Sequence, residues 1–310
     1  MEEKYEIMNL LQSKQTLTKE LNDLIYGSVE IREKNSNKYI YVHYREDGIL
    51  LTKYVGEYSD NLYNLILNNS IKAKELKKEI KKIEKQLKQF NYIDEELSPQ
   101  VEINIDFAKR HLVDTIYKQA ILEGIATTFA DTESIIEGGK VNNMTSEDIM
   151  KIVNLKHAWE FILNKNVILS DTNFALLCEI NKMVEEGFYY SAGKVRSVPV
   201  AIGGTTWKPE LPIESVIKEE LEKIFNDKMD DIDRAIELIL YTMKKQIFID
   251  GNKRTAVIFS NHYLISKGKG IIAIPAELAE EFKNLLIPYY EGKDEKKIKK
   301  FIKEKCYINI

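Results

Sequence analysis

The segment KKQIFIDGNKRTA, Lys244–Ala256, separates two stretches of helical pattern. Before and into it, DDIDRAIELILYTMKKQIF (230–248) places Ile232, Ala235, Ile236, Leu238, Ile239 and Leu240 at helical spacing, which predicts a nearly buried helix ending near Phe248. From its end, RTAVIFSNHYLIS (254–266) predicts a second helix. Between them Gly251 and Asn252 suit a turn with unusual backbone angles. Such a turn feeding a helix N-terminus is an anion site in principle, because unpaired backbone N–H groups and the helix dipole point at it. Lys253 and Arg254 stand where that dipole repels cations, a conflict that a bound anion would relieve. Asp250 is a candidate Mg²⁺ ligand, since this ion commonly takes one or two carboxylates plus phosphate oxygens. The same residues also fit a plainer arrangement, with Asp250 capping the helix and both cations in solvent.

Composition sets wider bounds. A chain of 310 residues with 44% hydrophobic content can build one medium domain and a smaller one. With 30% charged residues but a net charge of −4, overall charge argues neither for nor against a nucleic-acid partner. No apolar run approaches the roughly 18 residues of a membrane span, and MEEKYEIMNLL at the N-terminus lacks a signal pattern. Two cysteines far apart, Cys178 and Cys306, fit a reduced cytoplasm. Few glycines and prolines predict a mainly helical protein.

Two domains are predicted, at 1–95 and 96–310. The first begins as a helix with Ile7, Leu10, Leu17, Leu21 and Leu24 on its apolar side. The period then changes to two in KYIYVHYRE (38–46), with Tyr39, Tyr41 and His43 opposed to Ile40, Val42 and Tyr44. With bends at Asn35–Ser36 and Asp47–Gly48, this predicts a three-stranded antiparallel meander. Leu76, Ile80, Ile83, Leu87 and Phe90 then form a heptad seam. A helix–meander–helix stalk follows from these patterns. Its lysine series, Lys72 to Lys88, reads as a solvated face with Glu–Lys pairs or as a nucleic-acid contact; the stalk also suits a homodimer or partner docking. NYIDEELSPQ (91–100) reads as a linker.

At this point a resemblance becomes specific. QIFIDGNKRTA resembles the Fic/Doc (Fido) motif H-x-F-x-D/E-G-N-G/K-R-T, with Gln246 in place of its histidine. AGKVRSVPVAIGGTTWKPELP (192–212) is similar to the family's flap hairpin, and TESIIEGG (132–139) to its inhibitory motif S/T-x-x-x-E-G/N. The three segments span roughly 100–290. The resemblance implies a helical Fido domain with a β-hairpin flap. It implies transfer of AMP, or a related nucleotide or phosphate group, from ATP or another nucleotide to a protein Ser, Thr or Tyr hydroxyl. It assigns Gln246, Asp250 and Arg254 to catalysis, with Asp250 on Mg²⁺. Gly251, Asn252, Lys253, Arg254 and Thr255 would hold the phosphates, with Phe248 anchoring the loop. Val198, Val200 and Ile202 of the flap would register the target by strand addition. Glu137 would be the inhibitory residue.

Three departures qualify this. An amide at 246 cannot take a proton, and a positioned base is worth about 10²–10⁴-fold, so catalysis is expected to be weakened or altered with Gln246 orienting a hydroxyl instead. His262, sixteen residues on, does not replace it. Val257 stands where many nucleotide transferases of the family carry a second arginine, and Lys253 matches Doc-like forms that transfer the terminal phosphate. Glu137 therefore lacks its usual partner and is expected to inhibit weakly or to pair with Arg254. A nucleotide-binding pseudoenzyme or regulator, a Doc-like kinase and a nucleic-acid-associated binding protein stay open as alternatives. Toxin, phage-defence factor and housekeeping modifier all fit.

Overall fold

The seam of Leu76, Ile83 and Leu87 is buried, as a heptad pattern requires. It lies on α2 (Asp60–Gln89), which packs against α1 (Glu2–Asn22). Leu21 of α1 meets Ala73 and Leu76, with Leu17, Leu24 and Ile80 around them. The ion pairs Lys14–Glu84 (3.1 Å) and Lys72–Glu20 (2.5 Å) give the direction: the helices run antiparallel. Of the lysine series, Lys72 is engaged by Glu20 in this way.

The computed structural model describes residues 2–34, 37–46, 49–90, 92, 97–142 and 144–310. It divides into two units, Met1–Ile93 and Asp94–Ile310. In the first, β1 (Ser28–Lys34), β2 (Asn37–Glu46) and β3 (Ile49–Glu57) form an antiparallel meander in that order. Ile40 and Val42 bury one face against Ile66 and Leu62 of α2. On the opposite face Tyr54 lies 5.5 Å from Tyr41 and 6.2 Å from Tyr39, ring to ring. The expected bends at Asn35–Ser36 and Asp47–Gly48 lie outside the described residues, as does half of the linker. Pro99 is not part of that linker. It opens a helix, because its missing N–H costs nothing in a first turn and Ser98 caps it.

The second unit is helical. Its elements are α3 (Pro99–Arg110), α4 (Leu112–Leu122), α5 (Phe129–Ile136), α6 (Ser146–Ile162), α7 (Lys165–Ile168), α8 (Phe174–Val184), α9 (Glu214–Asn226), α10 (Asp231–Lys245), α11 (Asn252–Ser266), α12 (Ala279–Tyr290) and α13 (Glu295–Phe301). A two-residue antiparallel pair, β4 (Ile271–Ile272) with β5 (Tyr307–Ile308), closes its C-terminal side. Helix α11 is buried on nearly every side, so it is the central helix of the unit. Its N-terminus is thereby fixed in space by the whole core, and the 246–251 turn leads directly onto it. Cys178 and Cys306 are buried and form no disulfide. No helix among the described residues is long and apolar enough to cross a membrane.

Candidate active site

Helix α10 stops at Lys245, three residues before the expected end, because Gln246 turns into the left-handed region (φ 47°). A side chain tolerates that conformation poorly, so the surroundings must hold it. They do so from two sides. Arg196 Nε donates to the Gln246 carbonyl at 2.6 Å, and the Gln246 amide donates to the Met243 carbonyl at 2.7 Å. Phe248 follows, 1% exposed, and pins the loop to the core.

Asn252 closes the turn. Its side chain accepts from the Phe248 N–H (3.0 Å) and donates to the Phe248 carbonyl (2.9 Å) and to Gln246 Oε1 (3.2 Å). It is buried, and its side chain braces the loop. The half-buried Gln246 amide is likewise engaged at both ends, donating to the Met243 carbonyl of α10 and accepting from Asn252 Nδ2. Thr255 is buried, and its hydroxyl accepts from Asn181 Nδ2 at 3.1 Å. Asn181 of α8 also donates to the Asp250 carbonyl (3.0 Å) and accepts from the Gly193 N–H (2.9 Å).

The loop ends in an open helix N-terminus. Thr255 N–H makes the first bond of the turn, to the Gly251 carbonyl (2.8 Å), which leaves the N–H groups of Asn252, Lys253 and Arg254 without intrahelical partners. Gly251 adopts φ 72°, and a Cβ there would lie 2.3 Å from Glu185 Oε1, so glycine is required twice over. Asp250 is 49% exposed at its side chain, with Oδ1 accepting from the Gly251 N–H and Oδ2 lying 3.5 Å from Arg254 Nη2.

Arg254 is the charged centre. Its side chain is 3% exposed and sits among three carboxylates: Glu185 (Nη2 to Oε1, 2.8 Å), Glu123 (Nε to Oε2, 3.5 Å) and Asp250. Lys253 Nζ also lies 3.5 Å from Glu123. These approaches are close but poorly aligned. Arg254 Nε and Nη1, Glu123 Oε1 and Glu185 Oε1 are buried without a hydrogen-bond partner among the described residues. Burial pushes the Glu185 carboxyl up to about 7; Arg254 opposes this, while Asp250 and Glu123 add to it.

Glu137 is not in this cluster. It terminates α5, exposed, and the expected pairing with Arg254 is corrected: Glu123 and Glu185 occupy that place. Glu123 follows α4, whose Gln119 donates to the Arg254 carbonyl at 2.7 Å and accepts from Trp159 Nε1 at 3.0 Å. A signal for Glu123 existed in the sequence. Glu123–Gly124 is a second Glu-Gly pair, four residues after Gln119, at the spacing of the inhibitory pattern but with Gln in the Ser/Thr place. Nothing comparable marked Glu185 or Asn181.

The flap segment differs from a regular hairpin. It turns at Gly203–Gly204, but no ladder hydrogen bonds join its arms among the described residues. Arg196 joins them instead, donating to the carbonyls of Val198 (2.8 Å) and Glu210 (2.6 Å). Trp207 stacks on Tyr290, with centroids 5.8 Å apart and planes 13° apart, which makes it a packing residue. Val198 is exposed, and Val200 and Ile202 are half-buried. His262 is sealed in the core between Thr172 and the Val167 carbonyl, and burial pulls its imidazole down to about 4, so it supplies no base here.

The start of the central helix, with backbone N–H groups free of intrahelical partners, thus lies beside the buried Arg254 and is tied to the flap segment through Arg196. Residues 171–264 match the Fic/DOC family. Solved structures with the same fold include Fic-1 (residues 134–508) from C. elegans, with a TM-score of 0.53 and 18% identity over 79% of this chain and 74% of that one. A Fic domain containing signaling protein from Bacteroides thetaiotaomicron gives a TM-score of 0.52 and 19% identity over 62% of this chain and 76% of that one. A Fic family protein from Desulfovibrio desulfuricans gives 0.51 and 13% over 68% and 73%. These likenesses show the fold: a mainly helical protein with Fic-fold architecture. Among curated proteins no match is found.

Proposed function

We propose that the chain binds a nucleotide such as ATP at the 250–254 loop and transfers AMP, or a related phosphate-containing group, to a hydroxyl of a protein. The carrying observation is the convergence of unpaired backbone N–H groups with the buried Arg254, whose Nε and Nη1 lack partners. A phosphate oxygen satisfies both kinds of donor at once.

Mg²⁺ fits the donor set. Asp250 offers one exposed carboxylate, and this ion commonly takes one or two carboxylates with phosphate oxygens and water. No group of three or more potential metal-binding side chains lies among the described residues, so the nucleotide would complete the coordination. When bound, Mg²⁺ would neutralise phosphate charge. Arg254 would add a fixed positive charge in a water-poor setting, where such stabilisation is strongest. The exposed backbone of the 198–202 arm supports docking of an extended target segment. Two cysteines without a disulfide support a cytoplasmic setting.

Turnover is expected to be slow. No base stands at 246, and Arg254 must exchange Glu123 and Glu185 for phosphate. The same two facts favour a second reading, a nucleotide-binding regulator that does not turn over. ATP labelled separately at the α- and γ-phosphates, with Mg²⁺ and host lysate, separates them. Transfer by the chain and not by Arg254→Ala supports the transferase, and the labelled phosphate identifies the group. Transfer only after Gln246→His supports the regulator.

A further inference from the structure

Arg196 is 2% exposed and carries a charge with no carboxylate beside it among the described residues. A buried guanidinium is costly unless its donors are matched. Here they are matched by carbonyls from two separate segments. Nε meets Gln246 O at 2.6 Å, and the backbone N–H of Arg196 meets Ile247 O at 3.0 Å, both in the phosphate loop. Nη1 and Nη2 meet Val198 O and Glu210 O, one on each flap arm. With no ladder joining those arms, this planar fork is the bond between them, and it also holds the left-handed peptide at Gln246.

We propose that Arg196 is the positioning residue that registers the flap, and with it a docked target segment, against Gln246 and the phosphate loop. The proposal rests on the functional reading above, since it supposes that the flap carries the target. The two halves of the site are separable. The anion-facing turn is braced independently by Asn252 on Phe248 and by Asn181 on Asp250 and Thr255. Arg196 is therefore expected to govern the target side and leave the nucleotide side intact. Lysine cannot replace it, because a single ammonium does not present a rigid fork to three carbonyls.

The test uses the full chain with Arg196→Ala and Arg196→Lys. Cleavage after Glu210 by a glutamyl-specific protease reports on the flap, hydrogen exchange in a peptide covering 250–256 reports on the turn, and MgATP affinity is measured alongside. In both variants cleavage after Glu210 should quicken at least about tenfold, with exchange in 250–256 unchanged. MgATP affinity should stay within about threefold, while the KM for protein target in the label-transfer assay rises and the KM for ATP holds. Ethylguanidinium should restore slow cleavage in Arg196→Ala, and ethylammonium should not. An unchanged flap overturns the proposal. So does a parallel loss of order in 250–256 and of MgATP affinity, or a Lys variant that matches the parent. Should Arg196→Ala not fold, Arg196→Lys carries the same comparison. If the parent binds no MgATP and transfers nothing, the functional reading fails, while the cleavage and rescue arms still decide the role of Arg196.

Discussion

Glu185 Oε1 lies 2.8 Å from Arg254 Nη2, and it occupies the space that a side chain at Gly251 would need. A carboxylate from the end of α8 thus supports the phosphate loop from beneath and holds its arginine. Burial raises the proton affinity of Glu185, so its pH behaviour reports on this contact.

The Glu185 carboxyl is pushed from 4.5 up to about 7 in the fold. The native state then binds a proton that the unfolded chain has released. The resulting stabilisation is full below about pH 4.5 and is lost as pH rises through about 7. Glu185→Gln, which does not titrate, should gain on the parent over that window by up to about 3 kcal/mol. Urea unfolding at a series of pH values measures the gap; a gap independent of pH would remove Glu185 from the account.

Glu123 and Glu137 should behave differently. Glu123 competes with phosphate for Lys253 and Arg254, so Glu123→Ala should tighten MgATP by about tenfold. Glu137→Ala should leave the affinity unchanged, because Glu137 is exposed and outside the Arg254 cluster. Calorimetric titration of both variants distinguishes them, and the opposite ranking would restore Glu137 as the inhibitory residue.

Asn252 is predicted to matter for stability as well as binding. Asn252→Ala leaves the buried Phe248 N–H and carbonyl without their partner, at a cost of about 2 kcal/mol. Thermal unfolding should register the loss, with MgATP binding weakened in parallel because the turn no longer holds its shape. A variant as stable as the parent would show that Arg196 on Gln246 and Asn181 on Asp250 hold the turn without Asn252.

Local pattern made much of this legible. The alternation around Ile40 and Val42 specified the meander, and the heptad at Leu76, Ile83 and Leu87 specified the stalk helix. The turn between two helical patterns at Gly251 and Asn252 marked where the chain enters its central helix. What was hidden depends on long-range packing. Glu185 and Asn181 lie some seventy residues from the loop they support, in a helix whose pattern marks only burial. Glu123 and Glu137 share a Glu-Gly ending, and only the path of α4 beside α11 decides which one reaches Arg254. Gln246 and Asn252 look like ligand-facing amides in sequence. Their engagement with each other and with the Met243 and Phe248 carbonyls follows from a left-handed residue that no propensity signals.

The most direct test is MgATP binding by isothermal titration with the parent chain, Glu123→Ala, Arg254→Ala and Asp250→Ala. The parent should bind saturably and only with Mg²⁺, with binding tighter in Glu123→Ala and weakened at least about tenfold in Arg254→Ala and Asp250→Ala. No binding by the parent or by Glu123→Ala, or binding indifferent to Arg254, would contradict a nucleotide site at the 250–254 loop.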